Sequence, residues 1–226
     1  MDEKRYILKA EGVTKTFAQP ETVHVFRNLS LAVEPGESIA IMGRSGEGKS
    51  TLLNILGTLE DADSGSLMIA GNSITPSNKV SIRNNHMGFI FQSFHLLEHF
   101  TAIENILMPA RIGRQSCRVG SDAYQRAYSL LEEVGLGDRA HFHTNVLSGG
   151  EKQRIAIARA FINDPDIILA DEPTGNLDHS TSRQIQELLL SFARMLEKSL
   201  IVVTHDEELA SRCSQRYHLS DGALHQ

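Results

Sequence analysis

Gly43, Arg44, Ser45, Gly46, Glu47, Gly48, Lys49, Ser50 and Thr51 run consecutively, and their types suit one task, the holding of phosphate. The stretch from Gly43 to Ser50 follows the pattern G-x-x-x-x-G-K-[ST]. Glycines let the backbone wrap until successive N–H groups point inward at anionic oxygens. A helix starting near Lys49 adds its positive N-terminus, Lys49 reaches the β- and γ-phosphates, the Ser50 hydroxyl suits magnesium, and Thr51 can reach the α-phosphate. By chance alone the pattern would arise in roughly one chain in a hundred of this length, so nucleotide binding is the reading. Glu47 is the unusual member, a carboxylate where a small residue is more common; its side chain is expected to point to solvent while its N–H faces phosphate.

A second constellation is Asp171-Glu172, which ends the apolar run Ile167 to Ala170. Side chains alternate along a strand, so adjacent acids point apart and can do different work. Asp171 fits a partner of magnesium and Glu172 the group that polarises an attacking water.

Such groups need a scaffold that brings them together. Short apolar runs at Ser38–Met42, Met87–Phe91, Ile167–Ala170 and Leu200–Val203, separated by helix-like segments, have the form of strands buried on both faces of a parallel sheet. Tyr6 to Val33 instead alternates apolar and polar residues, as a half-exposed antiparallel sheet does. Between about Ser93 and Ile162 no strand signal appears. Thr101–Ala110 and Ser121–Val134 carry helical spacing there, with Ser121 as N-cap and Gly135 and Gly137 closing the second helix. The expected division is a core of residues 1–92 and 163–226, with a helical subdomain of 93–162 inserted into it.

Composition sets outer bounds. At 226 residues and 41% hydrophobic content the chain can bury a sizeable core. A formal charge of -6 argues against a nucleic-acid binder, which shows a basic excess. Cys117 and Cys213, the two cysteines, lack ligand-like spacing, as expected of a chain in a reducing compartment. The opening residues carry no apolar segment of secretory type, and no run approaches the ~20 apolar residues of a membrane span.

One further run, Leu147-Ser-Gly-Gly-Glu-Lys-Gln-Arg154, precedes a helical stretch. It offers a second phosphate site without a lysine: the Ser148 hydroxyl, with Gly149 and Gly150 exposing N–H groups at a helix start. This run resembles the signature of ABC (ATP-binding cassette) ATPases. The resemblance covers Phe17 to Gly222 and implies the fold of that family, an α/β P-loop cassette with a mixed sheet core, an N-terminal antiparallel β-subdomain and a helical subdomain. By the same resemblance Gln92 is the loop glutamine that contacts magnesium, Asn176-Leu-Asp178 a loop at a dimer seam, His205 the histidine that senses the γ-phosphate, and Phe17 the aromatic stacked on adenine. It implies ATP and Mg2+ as cofactors and a head-to-tail homodimer when ATP is bound. It also implies a polytopic membrane subunit docked near Phe94–Pro109, and a peripheral location on the cytoplasmic face of the inner membrane. The spelling Phe100-Thr-Ala-Ile-Glu-Asn-Ile-Leu-Met-Pro109 is most similar to the lipoprotein-releasing (LolD-type) branch, with macrolide-exporter (MacB-type) or envelope-remodelling ATPases as the alternative. A cytosolic ABC ATPase without a membrane partner is a rival of another class. The modest separation of Lys49 and Ser148, with no heptad run between them, disfavours the chromosome-type members.

Overall fold

The computed structural model describes residues 6–18 and 22–226. The chain enters through β1 (Leu8–Phe17) and β2 (Val23–Val33), then β3 (Ser38–Met42) runs into α1 (Lys49–Leu56). Short strands β4 (Ser64–Ile69) and β5 (Asn72–Ser73) and helix α2 (Lys79–His86) lead to β6 (Met87–Phe91). Helices α3 (Ala102–Ile112), α4 (Asp122–Glu133) and α5 (Gly149–Phe161) follow with no named strand among them. The chain closes with β7 (Ile167–Asp171), α6 (His179–Met195), β8 (Ser199–Val203), α7 (Glu207–Ser211), β9 (Gln215–Ser220) and β10 (Ala223–His225).

Two sheets result. One has the order β2-β1-β4-β5 and is antiparallel throughout, as the alternation near the N-terminus requires. The other has the order β10-β9-β3-β8-β7-β6; it is parallel except for the β9–β10 hairpin, so the sheet is mixed. The apolar runs at Ser38–Met42 and Met87–Phe91 are strands at those bounds, while β7 gains Asp171 and β8 gains Ser199. Strands β4, β5, β9 and β10 have little apolar signal because they are short or exposed.

Strand parity divides the interior in two. Ile39, Ile41, Leu169, Ile201 and Val203 face a core shared with α1 and the antiparallel sheet. Ala40, Ile90, Ala170, Leu200 and Val202 face the opposite core, which runs without a break through α3, α4, α5 and α6. The helices begin at caps written in the sequence. Ser121 accepts from Tyr124 N–H, and Thr101 with Glu104 and Ser148 with Glu151 form reciprocal capping boxes. In Glu104-Asn105 the second residue is fully engaged too: buried Asn105 accepts from Leu97 N–H and donates to the carbonyls of Leu97 and Thr101, pinning the loop before α3.

Gly88 sets how closely α5 approaches β6. A Cβ there would lie 2.2 Å from the Ala160 carbonyl oxygen and 2.6 Å from Ile168 Cδ1. Gly88→Ala is expected to cost about 1–3 kcal/mol through forced separation of strand and helix. Urea unfolding should show a lowered midpoint at unchanged slope; a wild-type midpoint would contradict this packing.

Candidate active site at the strand ends

The phosphate loop leaves β3 at Met42 and enters α1 at Lys49. Gly48 makes the last turn at φ 92°, and a Cβ on it would fall 2.3 Å from Val25 Cγ1, so both conformation and space demand glycine. Lys49 folds over the loop and donates to the carbonyl oxygens of Gly43 and Arg44, each at 2.8 Å. Ser50 Oγ donates to Asp171 Oδ1 at 3.1 Å, which joins the start of α1 to the end of β7. Glu47 departs from the solvent-pointing expectation. It is half-buried, and its carboxylate accepts the Arg44 N–H at 2.5 Å, bracing the loop across its own turn.

A cleft of 480 Å³ lies over these groups. Gly43, Ser45, Gly46, Gly48, Lys49, Ser50 and Thr51 line it from the loop; Gln92, Glu172 and His205 line it from the ends of β6, β7 and β8. Residues far apart in sequence meet here because parallel strands end at one edge, where open α/β sheets bind ligands. Arg44 and Glu47 belong to the loop but are not among the lining residues.

Glu172 stands at φ 44°, in the left-handed region that few non-glycine residues occupy. Its N–H donates to Val203 O at 2.9 Å, and its Oε2 lies 2.9 Å from His205 Nδ1. A carboxylate only accepts, so Nδ1 donates in this pair and Nε2 is left facing away from it. Two buried glutamines hold the turns that carry these groups. Gln153 on α5 donates to Pro173 O at 2.6 Å, and Gln186 on α6 to Asp206 Oδ2 at 2.6 Å. Gln92 is bound to Asn176 both ways: Asn176 Nδ2 donates to Gln92 O at 2.9 Å, and Gln92 Nε2 to Asn176 Oδ1 at 3.3 Å. These glutamine and asparagine ties join positions 20 to 84 apart, and no local signal marks them.

The structure does not bring every expected residue to this cleft. Ser148, Gly149 and Gly150 open α5 beside Asn176, Asp178 and Thr181, lining a separate pocket of 380 Å³ that shares no residue with the first. Ser148 Oγ donates to Glu151 Oε2 at 2.8 Å there. Phe17 ends β1, is 40% exposed, and carries the Lys15 ammonium 5.0 Å from its ring centroid; it does not line the cleft.

The model of the ABC transporter family matches residues 26–175. The chain belongs to that family. Among curated relatives it is 58% identical over 219 residues to the lipoprotein-releasing system ATP-binding protein LolD of Protochlamydia amoebophila (strain UWE25), covering 97% of this chain and 96% of that one. It is 43% identical over 228 residues to the protein of the same name from Alcanivorax borkumensis, covering 99% of each. Among solved structures, a dimeric ATP-binding cassette in a post-hydrolysis state bound to ADP and Pi matches with a TM-score of 0.87 at 37% identity, over 97% of both chains. The fold, the ATP-binding role and the ATPase class follow from membership of the ABC family.

The electrostatics of this ABC cassette centre on Asp171. Burial is the largest cause raising its pKa above the ordinary value; Glu172 pushes the same way, and the Ser50 hydrogen bond and Lys49 oppose. A raised carboxylate pKa means the folded chain holds that proton more tightly than the unfolded chain does. Ionised Asp171 therefore costs stability, and the cost grows as pH rises from the unfolded pKa (about 3.9) through the folded one. Asp171→Asn, without nucleotide, should raise the melting temperature at pH 7 by a few degrees, the gain vanishing in acid. A lowered melting temperature at pH 7 would show that the charge is well compensated.

Proposed function

We propose that this chain is the ATP-hydrolysing subunit of a lipoprotein-releasing transporter, working as a homodimer on the cytoplasmic face of the inner membrane. The observation that supports it most is the convergence of phosphate loop, Glu172, His205 and Gln92 on one cleft, in a chain 58% identical over nearly its whole length to a relative of that name. Among the described residues no helix is long and apolar enough to cross a membrane; in this reading a partner subunit supplies the membrane element.

The chemistry follows from the groups present. ATP lays its phosphates against the loop N–H groups, and Lys49 exchanges two backbone carbonyls for β- and γ-phosphate oxygens, a charge-assisted gain. Ser50, Asp171 and Gln92 present only oxygen donors to the cation, which suits Mg2+. When bound there it neutralises phosphate charge. Glu172 holds water in line with the γ-phosphate and draws its proton as the water oxygen bonds to phosphorus and the bridge to ADP breaks. His205 fixes the Glu172 carboxylate through Nδ1, leaving Nε2 for the γ-phosphate side, and Phe17 stacks on adenine. Ser148, Gly149 and Gly150, in their separate pocket, serve the ATP held by a second copy. Each nucleotide is thus enclosed by both.

Residues 93–162 act as the helical lobe of a core made by 1–92 and 163–226. The partner docks near Phe94–Pro109, where α2, β6, α3 and α5 enclose a mostly apolar groove of 420 Å³ that includes Phe91, His95, Pro109 and exposed Val80 and Ile112.

Glu172→Gln is expected to bind ATP with near-normal affinity and to hydrolyse it at least about 100-fold more slowly. Near-normal turnover would remove Glu172 from this role. Lys49→Ala should lose nucleotide affinity, measured by fluorescent-ATP titration; unchanged binding would contradict the cradle. The transporter reading is tested by affinity capture of Glu172→Gln from membranes in the presence of ATP. Polytopic subunits with a large extracytoplasmic domain should co-purify; recovery of soluble proteins alone would move the chain to the cytosolic class of ABC ATPases.

A further inference from the structure

Directly after Gln92 the chain makes a turn of unusual geometry. Phe94 and His95 both adopt left-handed backbone, at φ 58° and 50°. Consecutive non-glycine residues hold that conformation only when the surroundings over-determine it. Arg159, on the helix that the signature opens, supplies the constraint. Its guanidinium donates to the His95 carbonyl at 2.5 Å and to the Phe94 carbonyl at 2.7 Å. The His95 ring packs on Phe91 at 4.8 Å between centroids, closing the turn from the other side. Burial lowers the Arg159 pKa to about 10, so the group still carries its charge at neutral pH. Among the described residues no carboxylate pairs with it; two backbone carbonyls take that place.

We propose that Arg159 is a positioning residue for Gln92, a fork that sets the exit of the Gln92 loop and locks it to the signature helix. The idea rests on the reading of Gln92 as part of the ATP site. Asn176, beside the Ser148 pocket, holds Gln92 through its amide and its main-chain carbonyl, and Arg159 fixes Phe94 and His95, two and three residues on, from the α5 side. Without the fork the strained turn relaxes towards right-handed backbone, and the Gln92 amide shifts in the cleft. Arg159 and His95 also line the groove assigned to the membrane partner. A segment seated there therefore bears on the clamp, and through it on Gln92.

Lysine keeps the charge but cannot fork across two carbonyls. The test compares steady-state ATP hydrolysis by wild type, Gln92→Ala, Arg159→Lys and the double variant, with folding checked by urea midpoint. Arg159→Lys should lower kcat about tenfold, the scale of a small misplacement in a reacting site, with KM for ATP nearly unchanged. On the Gln92→Ala background it should cost nothing more. In Arg159→Ala, millimolar guanidinium ion should restore turnover. Unchanged kcat in Arg159→Lys, additive losses in the double variant, or no rescue of a folded Arg159→Ala would each overturn the clamp. Normal turnover in Gln92→Ala would instead overturn the reading of Gln92 on which the clamp rests.

Discussion

A strand buried on both faces can carry no chemistry along its length, so its chemistry begins where it ends. β7 is buried from Ile167 to Ala170 and β8 throughout, and β3 is buried at its centre. Because these strands and β6 are parallel, they release their chains at one edge. The phosphate loop, Gln92, Asp171-Glu172 and His205 are the first polar groups after burial stops. Their meeting is a consequence of sheet direction, and the two cores exist to keep those strands side by side.

The edge so formed holds groups that are poorly satisfied without nucleotide. Asp171 is partly desolvated, Glu172 has a left-handed backbone, and Lys49 rests on carbonyls of its own loop. In the proposed reading an anionic phosphate answers the Lys49 ammonium, and the cation that accompanies it would answer the Asp171 carboxylate. Stability given up at the site is thus linked to ligand affinity. The polar ties from Gln153, Gln186, Asn176 and Asn105 show the opposite tendency, since they engage main-chain or side-chain groups of the turns and hold them still.

Much of this was legible in the sequence, for a physical reason. The phosphate loop, the Asp171-Glu172 pair and the Ser148 run are local, and their chemistry depends on consecutive residues. Buried parallel strands announce themselves by continuous apolar runs, and the cap Ser121 by its type. What stayed hidden depends on contacts between distant positions. Arg159 reaching Phe94 and His95, and Asn176 holding Gln92, leave no periodic trace. The bracing of an N–H three residues back by Glu47 is a matter of side-chain rotamer, which residue type does not set. Strands β9 and β10, half-exposed and short, lacked the apolar signal that marks their neighbours.

Within one copy the cleft and the Ser148 pocket share no residue, and in the proposed reading they are two half-sites that meet only between copies. Sedimentation of the Glu172→Gln chain in saturating ATP and magnesium tests this most directly. The account predicts a two-copy species that returns to one copy when nucleotide is removed or when Ser148 is replaced by arginine. A chain that binds ATP with full affinity yet sediments as one copy would contradict it.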